Sequence, residues 1–294
     1  MKNLSLEMQG YIYALLAFIQ WGLFPVYFKW VSSVSPTEVL AHRIIWSVLL
    51  LITIIFATHQ MQNLIKLLGQ LKALSYLLIS ALLVSTNWLI YIWAVSNNML
   101  TEASLGYYIN PIISAMLGII FYQDRPTLWQ KVAMALACFA IVFQVISLGS
   151  LPLVSLGLGF SFAFYGYVRK KVNVPSALGL TIETTILLPF ALTYFVYLQL
   201  SHQSMFVFPP DGISFLLLLA GFVTVLPLLC FNAATTRISL MHIGFFQYIS
   251  PTIGFVLAIY VYDEPLSHEK LITFIFIWLA LLIFSLDAYR KKQK

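Results

Sequence analysis

Tyr107-Tyr108-Ile109-Asn110-Pro111-Ile112-Ile113-Ser114-Ala115-Met116-Leu117-Gly118-Ile119-Ile120-Phe121-Tyr122-Gln123-Asp124 is a largely apolar run with a proline in its first third, and it returns 140 residues later. Tyr108, Ile109 and Pro111 fall on Tyr248, Ile249 and Pro251, Leu117 on Leu257, Tyr122 on Tyr262, and Asp124 on Glu264. A polar stripe survives in character: Tyr107, Asn110 and Ser114 match Gln247, Ser250 and Gly254. Spacing of i, i+3, i+7 puts each trio on one helical face. The run and its echo therefore read as one helix used twice.

The surroundings say where such a helix sits. Only 26 of 294 residues are formally charged, about 9%, against 61% apolar and 16% aromatic. A soluble domain carries roughly 25% charged residues, so a soluble enzyme, a disordered chain and a nucleic-acid module are excluded. The 16 Lys and Arg residues are scattered between apolar runs, so the net charge of +6 forms no nucleic-acid patch. Cys138 and Cys230 each lie inside an apolar run and imply neither a disulfide framework nor a metal site. The first run lacks a small-residue cleavage site and reads as a retained span.

A membrane helix needs about 20 mostly apolar residues. Cutting the chain at charged and turn-forming clusters gives ten segments, at 10–30, 38–58, 73–95, 102–121, 128–147, 151–168, 177–198, 213–233, 241–261 and 270–288. They are too long and too continuously apolar for barrel strands. The expectation is an all-α membrane protein of ten transmembrane helices. If the amino terminus is cytoplasmic, 13 Lys and Arg residues fall inside and Lys29, Arg43 and Lys270 outside, as the positive-inside rule demands. Both termini are then cytoplasmic. Five spans per half forces opposite orientations, so residues 1–147 and 148–294 are read as two inverted five-helix repeats, a recurrent plan for secondary transporters.

Several runs resemble a known family. They are Trp21-Gly22…Pro25…Tyr27-Phe28-Lys29, Ala41-His42-Arg43-Ile44-Ile45-Trp46-Ser47, Glu102-Ala103-Ser104-Leu105-Gly106-Tyr107-Tyr108-Ile109-Asn110-Pro111, Gly157…Phe160-Ser161-Phe162-Ala163-Phe164-Tyr165-Gly166, and Gly244-Phe245-Phe246-Gln247-Tyr248-Ile249…Pro251-Thr252. The chain resembles, over essentially its whole length, the EamA family of the drug/metabolite transporter superfamily. That resemblance implies a bacterial inner-membrane permease of two five-helix repeats with both termini cytoplasmic.

Polar residues at bilayer depth are costly and ask for a reason. Lys29, two residues from the end of its span, either snorkels to the interface or lines the substrate path. Arg43, beside His42, lies about 8 Å into the second span and either serves the path or pairs with Glu102. Lys29 and Arg43 lining one outer vestibule would favour substrates with a carboxylate or phosphate. Glu183, the acidic residue clearly inside a span, either carries a coupling proton or makes a helix-pairing contact. In the third span Asn87 and Tyr91 share a face, Trp88 and Trp93 suit an aromatic belt, and Asn87, Trp88 and Tyr91 are read with His42 as candidates for the substrate path. The central cavity is assigned to Tyr107, Asn110 and Ser114 with Gln247, Tyr248, Ser250 and Gly254, and Tyr108 joins the substrate pathway. Pro111 and Pro251, near the midplane, are hinge candidates. The loop 59–72 reads as a short interfacial helix.

The expected function is export or exchange of a small organic solute by alternating access, possible proton coupling included, with the lipid bilayer as the other partner and no cofactor or metal. Two rivals lack their signatures. An intramembrane enzyme needs a nucleophile–base pair or metal cluster, and Gly159-Phe160-Ser161-Phe162 puts Phe162 where a small residue belongs. A channel-like facilitator would use carbonyl or charged rings in an oligomer.

Overall fold

The structure is a computed structural model that describes residues 4–96, 100–148, 153–261 and 268–292. Thirteen helices and no strand occur among the described residues. In chain order they are α1 (Leu6–Gly22), α2 (Phe24–Trp30), α3 (Pro36–Ala57), α4 (Met61–Leu68), α5 (Leu71–Ser96), α6 (Leu100–Tyr122), α7 (Leu128–Leu148), α8 (Leu153–Val172), α9 (Ser176–Leu200), α10 (Gly212–Thr235), α11 (Leu240–Gln247), α12 (Ile249–Tyr260) and α13 (His268–Lys292). Seven stretches are long and apolar enough to cross a membrane, and Gly106–Tyr122 and Leu271–Asp287 are shorter apolar helices. Large apolar side chains such as Phe56, Phe190, Ile146 and Leu282 stand exposed along these helices, which lipid tolerates and water does not.

Helix boundaries follow local chemistry. Ser35 caps α3 by accepting from Glu38 N (3.3 Å), with Pro36 in the first turn where its missing N–H costs nothing. Asp211 caps α10 by accepting from Ser214 N (2.7 Å), and this bond holds its carboxyl below the ordinary range. The expected interfacial helix is α4, with Ile65, Leu68 and Lys66 around it.

Two expected single spans are divided. The first breaks at Leu23, where α1 hands over to α2 with Pro25 in its first turn. The ninth breaks at Tyr248, and Pro251 sits in the first turn of α12. Proline is cheap in a first turn and costly inside a helix, so the chain restarts there. Pro111, Pro189 and Pro227 lie inside unbroken helices.

The helices alternate in direction. Arg237, Lys170 and Tyr122 gather the ends of α10, α8 and α6 with the start of α1, at what we call the basic end. At the other end Thr37 meets Tyr194 (2.7 Å) and Glu38 accepts from Met205 N (2.8 Å) and Ser204 Oγ (2.7 Å), joining the start of α3 to the end of α9 and its following loop. α6 packs on α8 and α11, α5 on α8 and α9, α3 on α9 and α10, and α1 on α10, α11 and α12. α7 and α13 pair antiparallel, tied by Thr127–Asp287 and Gln144–Thr273, both 2.8 Å.

Candidate functional site

Two polar clusters sit inside the bundle, one toward each end. Toward the basic end the Glu183 carboxylate takes an ion pair from Arg169 Nη1 (3.3 Å). It also accepts from Ser80 Oγ and from Tyr165 OH (3.3 Å), and Asn232 Nδ2 donates to Tyr165 OH (3.0 Å). Arg169 and Glu183 are each 1% exposed. A buried charge survives only when paired, and here α8 and α9 supply opposite signs while α5 and α10 supply the remaining polar contacts. Gly179 makes the arrangement possible, because a Cβ there would meet the Arg169 guanidinium. Arg169 lies just past the expected span 151–168, yet it turns into the bundle while Lys171 is exposed. Lys170 caps the end of α10 and the turn after it, donating to Thr235 O (3.1 Å) and Ile238 O (2.6 Å).

Toward the opposite end Arg43 occupies the equivalent depth on α3. Its Nε donates to Thr224 Oγ1 on α10 (2.9 Å), and its guanidinium lies 4.9 Å over the Trp88 ring of α5 and 5.8 Å from Phe28 of α2. Tyr27, Tyr91 and Tyr107 stand within electrostatic reach. Arg43 faces four helices of the bundle and is nonetheless only half-buried. Tyr107, 6.2 Å from Tyr91 by ring centroids, is 45% exposed. Arg43 and Tyr107 therefore face space that the described residues leave unfilled, which we call the hollow.

The expected pathway residues divide between hollow and seams. Arg43, Trp88, Tyr91 and Tyr107 come together at the hollow, and Trp88 lies beneath a guanidinium rather than in a lipid belt. Lys29 is exposed at the end of α2 next to Phe28. His42 points elsewhere: it is 1% exposed, accepts from Trp46 Nε1 (2.9 Å), and packs against Phe195 and Phe206. Asn87 joins α5 to α8 by donating to Leu158 O and Ser161 Oγ, both 3.0 Å. Asn110, Ser114 and Gln247 are buried in the α6–α11 contact, where Gln247 Nε2 donates to Ser114 Oγ (3.4 Å). Tyr248 OH donates to Tyr108 O (3.3 Å) in the same seam, and Tyr108 packs on Phe274. Ser250 and Gly254 are half-buried on α12, and a Cβ on Gly254 would meet only open space. The side chain of Glu102 lies outside the described residues, as do Tyr262 and Glu264. Thr224 was missed by sequence, where it reads as one more small residue in an apolar run.

Known proteins share this organisation. Residues 8–146 match the model of the EamA-like transporter family. The chain is 44% identical over 286 residues to the Salmonella typhi protein called "Protein RarD", covering 97% of both. It is 42% identical to an "Uncharacterized transporter" of Vibrio cholerae, covering 96% of this chain and 93% of that one. A solved crystal structure shares the fold at a TM-score of 0.72 with 13% identity, over 97% of this chain and 99% of that one. Multiple apolar helices and bacterial relatives with transporter names make this a multi-pass membrane protein. The chain belongs to the EamA-like transporter family.

Proposed function

We propose that the protein is a secondary transporter of small organic solutes, working in the bacterial inner membrane with both termini cytoplasmic. It works by alternating access between two inverted repeats, residues 1–147 and 148–294. Taking α1–α2 and α11–α12 each as one crossing, and leaving α4 at the interface, gives ten crossings. The observation that carries the reading is that the main helix pairings recur when the halves are exchanged, although α8–α10 and α6–α7 lack comparable counterparts among the described residues. The contact of α1 with α10 corresponds to that of α5 with α8, and that of α3 with α10 to that of α5 with α9. The contact of α6 with α8 corresponds to that of α1 with α11 and α12, while α3–α9, α6–α11 and α7–α13 are self-paired. α3 and α9 begin 140 residues apart, at Pro36 and Ser176. Tyr108 and Tyr248, also 140 apart, touch across the α6–α11 seam.

Such a chain has two equivalent packings, and a state open at one end implies a partner state open at the other. Pro111 and Pro251 sit where the α6–α11 seam would pivot. The test is metabolite profiling of medium from overexpressing and deleted cells, followed by exchange of the changed solutes in proteoliposomes. Saturable, exchangeable flux is expected; large unitary currents would point to the channel-like alternative.

A further inference from the structure

We infer that Arg43 seats the anionic group, carboxylate or phosphate, of the transported solute, and that its need for this anion makes the protein an exchanger. The inference rests on the carrier reading above. Arg43 and Glu183 are 140 residues apart, each seven residues beyond the first residue of its helix, α3 or α9. Each is hydrogen-bonded by a hydroxyl from the repeat-related helix, Thr224 on α10 or Ser80 on α5. The two positions are the same place in the two halves.

They differ in what completes them. At the basic end the arginine, Arg169, finds its carboxylate within the chain. At the open end Arg43 uses Nε on Thr224 and the face of Trp88, and its two Nη groups have no carboxylate among the described residues. Glu38, the buried acid on the same helix, is committed to Ser204 and Met205. The planar fork of an arginine matches a carboxylate or phosphate bidentately, and the Tyr91 and Tyr107 rings flank the position.

Closing this end as tightly as the other would bury a guanidinium that no carboxylate among the described residues meets, which is strongly unfavourable without a counter-anion. A bound solute anion removes that cost. The loaded protein therefore closes over Arg43 and the empty one stays open, so net return of the empty carrier is suppressed and exchange dominates.

Single cysteines test this without knowing the solute. Tyr107→Cys faces the hollow and Gln247→Cys occupies the repeat-related, buried position. Each is made with Cys138 and Cys230 replaced by alanine and labelled in lipid nanodiscs, where both faces are reachable. The probes are a sulfonate-bearing and a trimethylammonium-bearing methanethiosulfonate. Tyr107→Cys is expected to favour the anionic reagent by about tenfold relative to the same ratio with Arg43→Leu, while Arg43→Lys keeps the preference. Arg43→Leu should also lower labelling at Tyr107→Cys and raise it severalfold at Gln247→Cys, because the empty protein can then close. A reagent ratio unmoved by Arg43→Leu overturns the anion seat and leaves the carrier reading intact. A lost preference with no rise at Gln247→Cys overturns the exchange rule. Gln247→Cys that stays unreactive in every background overturns the carrier reading itself.

Discussion

Around Glu183 on α9 the helices α5, α8 and α10 build a sealed cluster with a charge of opposite sign; around Arg43 on α3 the helices α2, α5, α6 and α10 supply a hydroxyl and aromatic rings but no carboxylate among the described residues. α5 and α8 bring Ser80, Arg169 and Tyr165 against Glu183 on α9, α10 adds Asn232 on Tyr165, and the cluster is shut away from solvent. α2, α5 and α10 bring Phe28, Trp88 and Thr224 to Arg43, yet Tyr107 nearby is almost half exposed. The difference teaches where each charge obtains its compensation. The closed cluster compensates its charges internally through the Arg169–Glu183 pair, although Arg169 Nε and Nη2 have no hydrogen-bond partner among the described residues, and an open one can leave compensation to water or to a ligand. Each variant below therefore asks whether a contact acts on stability, as a closed cluster predicts, or on transport, as an open one does.

The largest effect is expected from breaking the closed pair. Glu183→Leu strands Arg169 in the bundle and should cost about 3–5 kcal/mol, read as a fall in thermal stability of the detergent-purified protein. Arg169→Met with Glu183→Leu removes both charges and should recover most of that loss, while transport stays impaired. A stable single variant would mean that the cluster is not shut. Gly179→Val comes next, at about 1–3 kcal/mol, because its side chain takes the space of the Arg169 guanidinium. Combined with Arg169→Met its cost should shrink, since the clash disappears with the guanidinium. A strictly additive double variant would place the damage in the α9 backbone instead.

The contrast between the two clusters also marks what sequence could reveal. α3 and α9 were expected at 38–58 and 177–198 and occur at Pro36–Ala57 and Ser176–Leu200, because apolar length and a capping residue suffice to define a span. Prolines gave the same signal at positions 25, 111, 189, 227 and 251, yet the helix restarts only at the first and last; continuation depends on packing that no local pattern carries. Glu183 drew notice as an acid inside a span. Its partner did not, because Arg169, Lys170 and Lys171 are alike in sequence, and only the 100° turn per residue decides which one faces in. Asn110, Ser114 and Gln247 formed a polar stripe that fits a cavity wall or a helix seam equally well, and they make a seam.

That seam gives a smaller test. A Cβ on Gly244 would press on Pro111 O, so the residue permits α6 and α11 to approach backbone to backbone. Gly244→Ala should cost about 1 kcal/mol of stability, at the low end for overpacking. Its effect on transport should exceed that, since the seam joins the two proposed repeats. Equal loss in both readouts would make it an ordinary packing contact.

The smallest stability effect separates the two ends most directly. Ser80 and Thr224 do the same work, each giving one hydrogen bond partner to a charged group from a repeat-related helix. Removing a hydrogen bond to a buried charge costs about 1.5–3 kcal/mol, but water replaces it where the site is open. Ser80→Ala should therefore lower thermal stability measurably. Thr224→Val, which keeps the side-chain shape, should leave stability within about 0.5 kcal/mol. Without Thr224 the Arg43 guanidinium still lies over Trp88 but loses the contact that fixes its rotation, so half-saturation in exchange assays should rise severalfold at unchanged maximal rate. If the threonine variant is destabilised as much as the serine variant, the Arg43 end is closed in solution and the hollow belongs to a minor state.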